Sequence, residues 1–134
     1  MNIERAQEIT GHVFKDRAVI RAALTHPSVS ALPGAENYDR LEFLGDSILG
    51  AVVSERLFSL YPESDAGELT NMRKAIVSKE PISKLTAALE LLKCSDCEMH
   101  IPLNAKRVCD IYEAVIGALC VDGGIGVARD FVLK

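Results

Sequence analysis

The sequence predicts an all-α fold, a helical bundle built around one long central helix. Three observations carry that expectation. Between Asn37 and Leu60, Leu41, Leu44, Ile48, Leu49, Val52, Val53 and Leu57 spread around most of a helix circumference. A helix apolar nearly all round is central and buried. A second apolar stretch, Val108 to Val121, has helical length as well. The breakers Pro62 and Gly123-Gly124 fall just where these two helices have to stop.

Taken in order, residues 2–10 read as a short amphipathic helix. A second runs from Asp16 to Leu24, with Asp16 as its N-cap and Ile20, Ala23 and Leu24 on its inner side. Ser28 to Glu36, which contains Pro33-Gly34, reads as a loop. Asn37 is expected to cap the long helix, which runs to about Leu60. Glu63 to Asp65 is a turn, and helices follow from about Ala66 to Val77 and from about Pro81 to Leu91. Residues 94–105 read as irregular. The second apolar helix covers about Arg107 to Val121, and a last short helix begins near Ile125.

The 134 residues have room for one core, so 1–134 reads as a single domain. Aromatic residues are few and Trp is absent, which speaks against platforms for stacking bases. The formal charge is -4, whereas a freestanding nucleic-acid binder is usually basic. That speaks against tight nonspecific nucleic-acid binding. It leaves room for a nuclease whose metals neutralise its acids. No segment approaches the roughly 18 consecutive apolar residues of a membrane helix. Met1 to Arg5 lacks the basic start and apolar core of a signal peptide. The four cysteines do not form a dense disulfide framework. They read as reduced thiols of an intracellular protein, with the cytoplasm as the expected compartment and nucleus or organelle left open.

The acids inside the apolar runs carry the chemistry. Asp39, Glu42 and Asp46 interrupt the first run, and at ~100° per helical residue they share one narrow stripe. Asp110 and Glu113 repeat the three-residue spacing in the second. Isolated charges in such surroundings are costly unless compensated. Two buried helices that turn five acids toward each other repel unless cations sit between them. Mg²⁺, a hard ion, takes oxygen ligands and works through a few carboxylates plus substrate phosphates. The pattern points to metal-assisted phosphoryl chemistry.

Four stretches now resemble one family, in order along the chain. Leu41-Glu42-Phe43-Leu44-Gly45-Asp46-Ser47 resembles the defining motif of the ribonuclease III family. Ala23-Leu24-Thr25-His26-Pro27-Ser28 precedes it, Gly67-Glu68-Leu69-Thr70-Asn71-Met72-Arg73 follows, and Asp110 to Ala118 comes near the end. The resemblance implies the fold of that family's catalytic endonuclease domain, without the double-stranded RNA-binding module that often follows it. It implies that Glu42, Asp46, Asp110 and Glu113 ligate Mg²⁺, with Mn²⁺ as a substitute. Glu113 would be the most indispensable bridging ligand and Asp46 the next. One ion would activate the attacking water and another would stabilise the leaving 3′ oxygen. The resemblance further implies a homodimer cutting both strands of double-stranded RNA across a valley. Products would carry 5′-phosphate and 3′-hydroxyl ends with short 3′ overhangs.

Two departures bear on the site. The family usually has Glu where this chain has Asp39, and the shorter Asp suits a role through water or hydrogen bonds better than direct ligation. The family often has an acid where Ala66 stands, and Glu68, two residues on, points elsewhere on a helix. Reduced metal affinity is expected, rather than lost activity.

Other residues have plainer alternatives. Phe43 points off the acid stripe and is either a core residue or, as the resemblance implies, a dimer contact. His26 is either a ligand or base, or a residue that orders its loop by hydrogen bonding. Arg40 and Arg73 either serve the site and its phosphates or are solvated surface cations. Cys94, Cys97 and His100, with Cys109 further on, suit zinc only loosely; free thiols are the simpler reading. Cys120 reads as a small core residue. Three other functions compete. A noncatalytic scaffold, such as those built into ribosomal assemblies, requires loss of acids that this chain retains. A helical nucleotide pyrophosphohydrolase favours Glu-x-x-Glu followed by Glu-x-x-Asp, which fits less well. A ferritin-like iron site wants Glu-x-x-His pairs, and the sequence has none. The chain's acidity also leaves a place for an accessory RNA-binding protein.

Overall fold

The two apolar stretches become the two helices on which the rest of the molecule is built. The computed structural model describes residues 1–29, 36–78, 82–95 and 105–134. The described residues form α1 (Ile3–Thr10), α2 (Arg17–Ala23), α3 (Asp39–Leu60), α4 (Ala66–Ser78), α5 (Ile82–Cys94), α6 (Ala105–Gly123) and α7 (Ile125–Val132). One 3-10 turn, Pro27–Val29, follows α2, and no β-strand occurs among the described residues. The all-α expectation is met.

Local chemistry explains most boundaries. Asn2 Oδ1 accepts from the Arg5 N–H at 3.0 Å and starts α1. Asp16 Oδ1 accepts from the Ala18 N–H at 3.0 Å and caps α2, as expected. Asn37 behaves differently from its expected role. Its Oδ1 accepts from the Asp39 N–H at 3.0 Å, while Tyr38 occupies the cap position without a side-chain bond. The turn leading into α3 is pinned instead by Tyr38, whose N–H donates to Thr25 O at 3.1 Å. Gly124, at φ 92°, breaks the chain between α6 and α7.

The largest interface is α3 against α6. From α3 come Ile48, Leu49, Val52, Val53 and Leu57, and from α6 come Val108, Ile111, Tyr112, Val115, Ile116 and Leu119. The more deeply buried of the two is α6, against which α2, α3, α5 and α7 all pack. By contrast, α3 keeps a solvent side, because Asp39, Arg40, Phe43, Asp46 and Ser47 all lie exposed on its first half. The apolar residues counted around its circumference include half-buried Leu41 and Leu44.

Two helices outrun their expected ends. α6 spans Ala105–Gly123, and α5 continues to Cys94 because Leu91, Leu92 and Cys94 are buried. The N-terminal segment ties to that end, with the Asn2 N–H donating to Cys94 O at 3.0 Å. Cys94 and Cys120 are free thiols, and burial pushes the Cys94 thiol up. Cys97 and His100, needed for the zinc alternative, lie outside the described residues, as do residues 30–35 of the expected loop.

Candidate active site

The acids meet because two glycines let two backbones touch. A Cβ on Gly45 would collide with the backbone carbonyl of Glu113, and one on Gly117 would collide with the carbonyl of Leu41. The contact is reciprocal. Each glycine lies four residues after the position its partner strikes, so one turn of α3 beds into one turn of α6. Glu42 and Asp46 flank Gly45, and Glu113 belongs to the turn it touches. The crossing therefore brings the two acid-bearing segments face to face.

Across it, the Glu42 and Asp110 carboxyls are close enough to perturb each other. Burial pushes the Glu42 carboxyl up, and the charge of Asp110 pushes it further. Lys106 pulls the other way and Asp39 adds a smaller upward push. Asp110 is 7% exposed, and Lys106 Nζ lies 2.7 Å from its Oδ2. Tyr38, 4% exposed, borders the same group. Burial pushes its phenol up to about 12, with Asp110, Asp39 and Glu42 contributing.

Asp46 faces a different partner. It is exposed and lines a pocket of about 470 Å³ with Gly50 on α3 and Arg73, Lys74 and Val77 on α4. Arg73 Nη1 donates to Ser54 Oγ at 3.1 Å, which holds the guanidinium along α3. Glu113 is half-buried at the crossing. Asp39 is exposed at the rim. Among the described residues no three His, Cys, Asp or Glu side chains converge closely enough to hold a metal ion as they stand. The expected acids thus lie on facing turns, with Asp39, Glu42 and Asp110 on one side and Asp46 turned toward α4.

Phe43 is 77% exposed, so it is not a core residue of the single chain. It does not face away from all the acids. With Asp39, Arg40 and Leu44 it lines a groove of about 1210 Å³, whose other walls include Val19 and Ala22 of α2 and Val121 of α6. His26 takes the loop-ordering role: its Nδ1 accepts from the Ser28 N–H at 3.0 Å and lies 2.8 Å from the Ser28 hydroxyl. Its ring packs edge-on to Tyr38 at 5.6 Å, so the Thr25–Ser28 segment fixes the start of α3. Sequence reasoning passed over Tyr38, Lys106 and the two crossing glycines. For Lys106 a signal was present, because an i,i+4 Lys–Asp pair on a helix is an expected contact.

The domain is helical, with carboxylates gathered where two glycine-notched helices cross and with Arg73 and Lys74 on a third helix beside Asp46. The chain belongs to the ribonuclease III-like family, whose model matches residues 16–134. Ribonuclease 3 of Rhodopirellula baltica is 44% identical over 132 residues, which covers 96% of this chain and 49% of that protein. Ribonuclease 3 of Anaplasma phagocytophilum is 39% identical over 136 residues, covering 98% and 57%. The solved nuclease domain of ribonuclease III from Campylobacter jejuni superposes with a TM-score of 0.83 at 31% identity, covering 98% of this chain and 94% of that one. Dicer from Pichia stipitis gives a TM-score of 0.66 at 28% identity, covering 92% and 54%. The chain spans about half the length of the curated relatives it matches.

Proposed function

We propose that residues 1–134 form one domain that hydrolyses phosphodiester bonds of double-stranded RNA to 5′-phosphate and 3′-hydroxyl ends. In this reading Mg²⁺ is the cofactor, with Mn²⁺ as a substitute. The observation that carries it is the Gly45–Gly117 crossing, which brings the Glu42 and Asp110 carboxyls within electrostatic reach of each other. The names of the relatives support it.

The donor set fits a hard divalent ion. Every candidate ligand is a carboxylate, and two that touch repel when both ionise unless a cation joins them. Glu42, Asp46, Asp110 and Glu113 would hold the metal, with Asp46 swinging from its pocket to join the others. Mg²⁺ bound there supplies a more acidic attacking water and charge stabilisation for the departing 3′ oxygen. Asp39 acts from the rim through water. Arg73 and Lys74 offer a backbone phosphate positive partners beside Asp46. Tyr38 stays neutral beside the acids and adds no charge to them.

The reading includes a homodimer. The Campylobacter jejuni nuclease domain is described as having a region involved in dimer formation. Here the exposed Phe43 ring and the groove beside it offer an apolar anchor and an apolar wall. Burying such a ring against a second copy contributes about 2 kcal/mol. No helix among the described residues is long and apolar enough to cross a membrane, and the reading places the enzyme in the cytoplasm. An accessory RNA-binding protein would supply the positive charge that a chain of net charge -4 lacks.

The test is incubation with long duplex RNA in Mg²⁺ and in chelator, with products sized and their ends analysed. Short 5′-phosphorylated fragments should appear in Mg²⁺ alone. Binding of RNA without any cleavage in Mg²⁺ or Mn²⁺ would favour the noncatalytic scaffold.

A further inference from the structure

Lys106 is an exposed residue aimed at a nearly buried acid. Its side chain is 81% exposed and that of Asp110 is 10% exposed, with 2.7 Å between Nζ and Oδ2. One helical turn separates the two, so α6 itself holds the ammonium over the open end of Asp110. Glu42 on α3 lies close enough to Asp110 for their charges to interact, and the charges of both Glu42 and Asp39 also reach Lys106. The ammonium therefore covers Asp110 from the solvent side, within electrostatic reach of two further carboxylates.

We propose that Lys106 is a tethered cation that competes with the divalent metal for Asp110 and so sets the metal concentration at which the site fills. The inference rests on the metal reading given above. An ammonium is a compact single charge on a flexible stem, whereas a divalent ion brings twice the charge and binds carboxylate oxygen directly. An ion pair with one exposed partner is weak, so Lys106 yields to the metal instead of excluding it. In the metal-free protein it offsets part of the repulsion within the acid group. Lys106 is thus a positioning residue that acts through Asp110.

The experiment measures Mn²⁺ binding to the RNA-free protein, by calorimetric titration and by the resonance signal of the free ion. Lys106→Met and Lys106→Gln should tighten Mn²⁺ binding about three- to tenfold. Lys106→Arg, which keeps the charge, should stay within about twofold of wild type. Lys93→Met removes an ammonium that pairs with Glu90 at 3.3 Å on α5, and it should leave Mn²⁺ affinity unchanged. Circular dichroism establishes that each variant is folded. Unchanged or weaker binding in the Lys106 variants, or equal tightening in Lys93→Met, overturns the inference and leaves the metal reading standing. A wild type that binds no Mn²⁺ overturns both.

Discussion

Helix α6 carries two acids with largely shielded side chains, Asp110 and Asp122, and their surroundings treat them in opposite ways. Asp122 is enclosed by donors. Its Oδ1 accepts from the Asp16 N–H at 2.9 Å, and its Oδ2 accepts from the Lys15 N–H at 2.9 Å and lies 2.7 Å from His12 Nε2. Burial pushes its carboxyl up, but the Asp16 N–H, His12 and the Lys15 N–H together hold it below the ordinary carboxylate range. They do so in the last turn of a helix, where the dipole disfavours negative charge. Asp110 is met instead by another acid and by an exposed lysine, and burial together with Asp110 pushes Glu42 up. An acid that serves the fold is surrounded by N–H groups. An acid left facing like charge, as Asp110 is, stands there at a cost to stability.

The largest effect that can sharpen this contrast is catalytic. Glu113→Gln keeps the volume at the α3–α6 crossing and removes one negative charge from the acid group. Turnover of duplex RNA should fall about 1000-fold, the upper range for losing one charge-organising group in an active site. The melting temperature and circular dichroism should stay near wild type. Near-normal turnover in steady-state cleavage would remove Glu113 from the site.

Next comes the crossing that brings the acids together. In Gly45→Ala the new methyl meets a backbone carbonyl, which cannot swing aside as a side-chain tip can. Destabilisation of about 3 kcal/mol is expected, read from urea unfolding. Gly117→Ala should behave alike, because the collision with Leu41 is its mirror. Wild-type stability in either variant would mean that the two helices can part without loss.

The difference between the two acids also marks what could be read from the sequence. The stripe of Asp39, Glu42 and Asp46 and the pair Asp110 and Glu113 were legible, because helical periodicity needs only local spacing. The capping role of Asp16 was legible for the same reason. Asn37 was misplaced by a residue because tertiary anchoring of Tyr38 to Thr25, and not the side chain of Asn37, sets where α3 begins. The glycine crossing was not legible, since nothing local distinguishes a glycine pressed against another helix from one in open space, such as Gly50. Asp122 and His12 stand 110 residues apart, and no periodic pattern joins them. Asp46 shares the stripe of Glu42, yet the approach of α4 places it beside Arg73 and Lys74. Such a division is set by a third helix and cannot appear in the pattern of one.

A smaller effect should come from the structural acid. Asp122→Ala removes the carboxylate that accepts from the Lys15 and Asp16 N–H groups, and hydrogen bonds to a charged group contribute about 1.5–3 kcal/mol. A loss of about 2 kcal/mol is expected in denaturant unfolding. The fraction that remains folded should cleave RNA at close to the wild-type rate, since Asp122 lies outside the acid group. A fall in turnover matching that of Glu113→Gln would erase the distinction between the two sites.

The smallest effect is the pH dependence of stability, measured in chelator, and it should run in opposite directions for the two acids. The carboxyl of Asp122 is held low in the fold, so the unfolded chain binds its proton first as pH falls. Its stabilising contribution is present above the ordinary Asp value of about 3.9 and is lost as pH drops through the lower folded value. Glu42 is pushed up, so the folded chain holds its proton longer as pH rises. Its presence costs stability above the raised value and costs nothing below the ordinary Glu value of about 4.3. Glu42→Gln should therefore raise the neutral-pH melting temperature by about 1–3 °C, with the gain vanishing in acid. Asp122→Asn should flatten the acid limb of the stability curve while leaving the Glu42 slope intact. Melting curves between pH 3 and 8, in steps of about half a unit, separate the two contributions. If Glu42→Gln lowers stability at neutral pH, the acid group is as well compensated as Asp122, and like-charge repulsion no longer distinguishes the site.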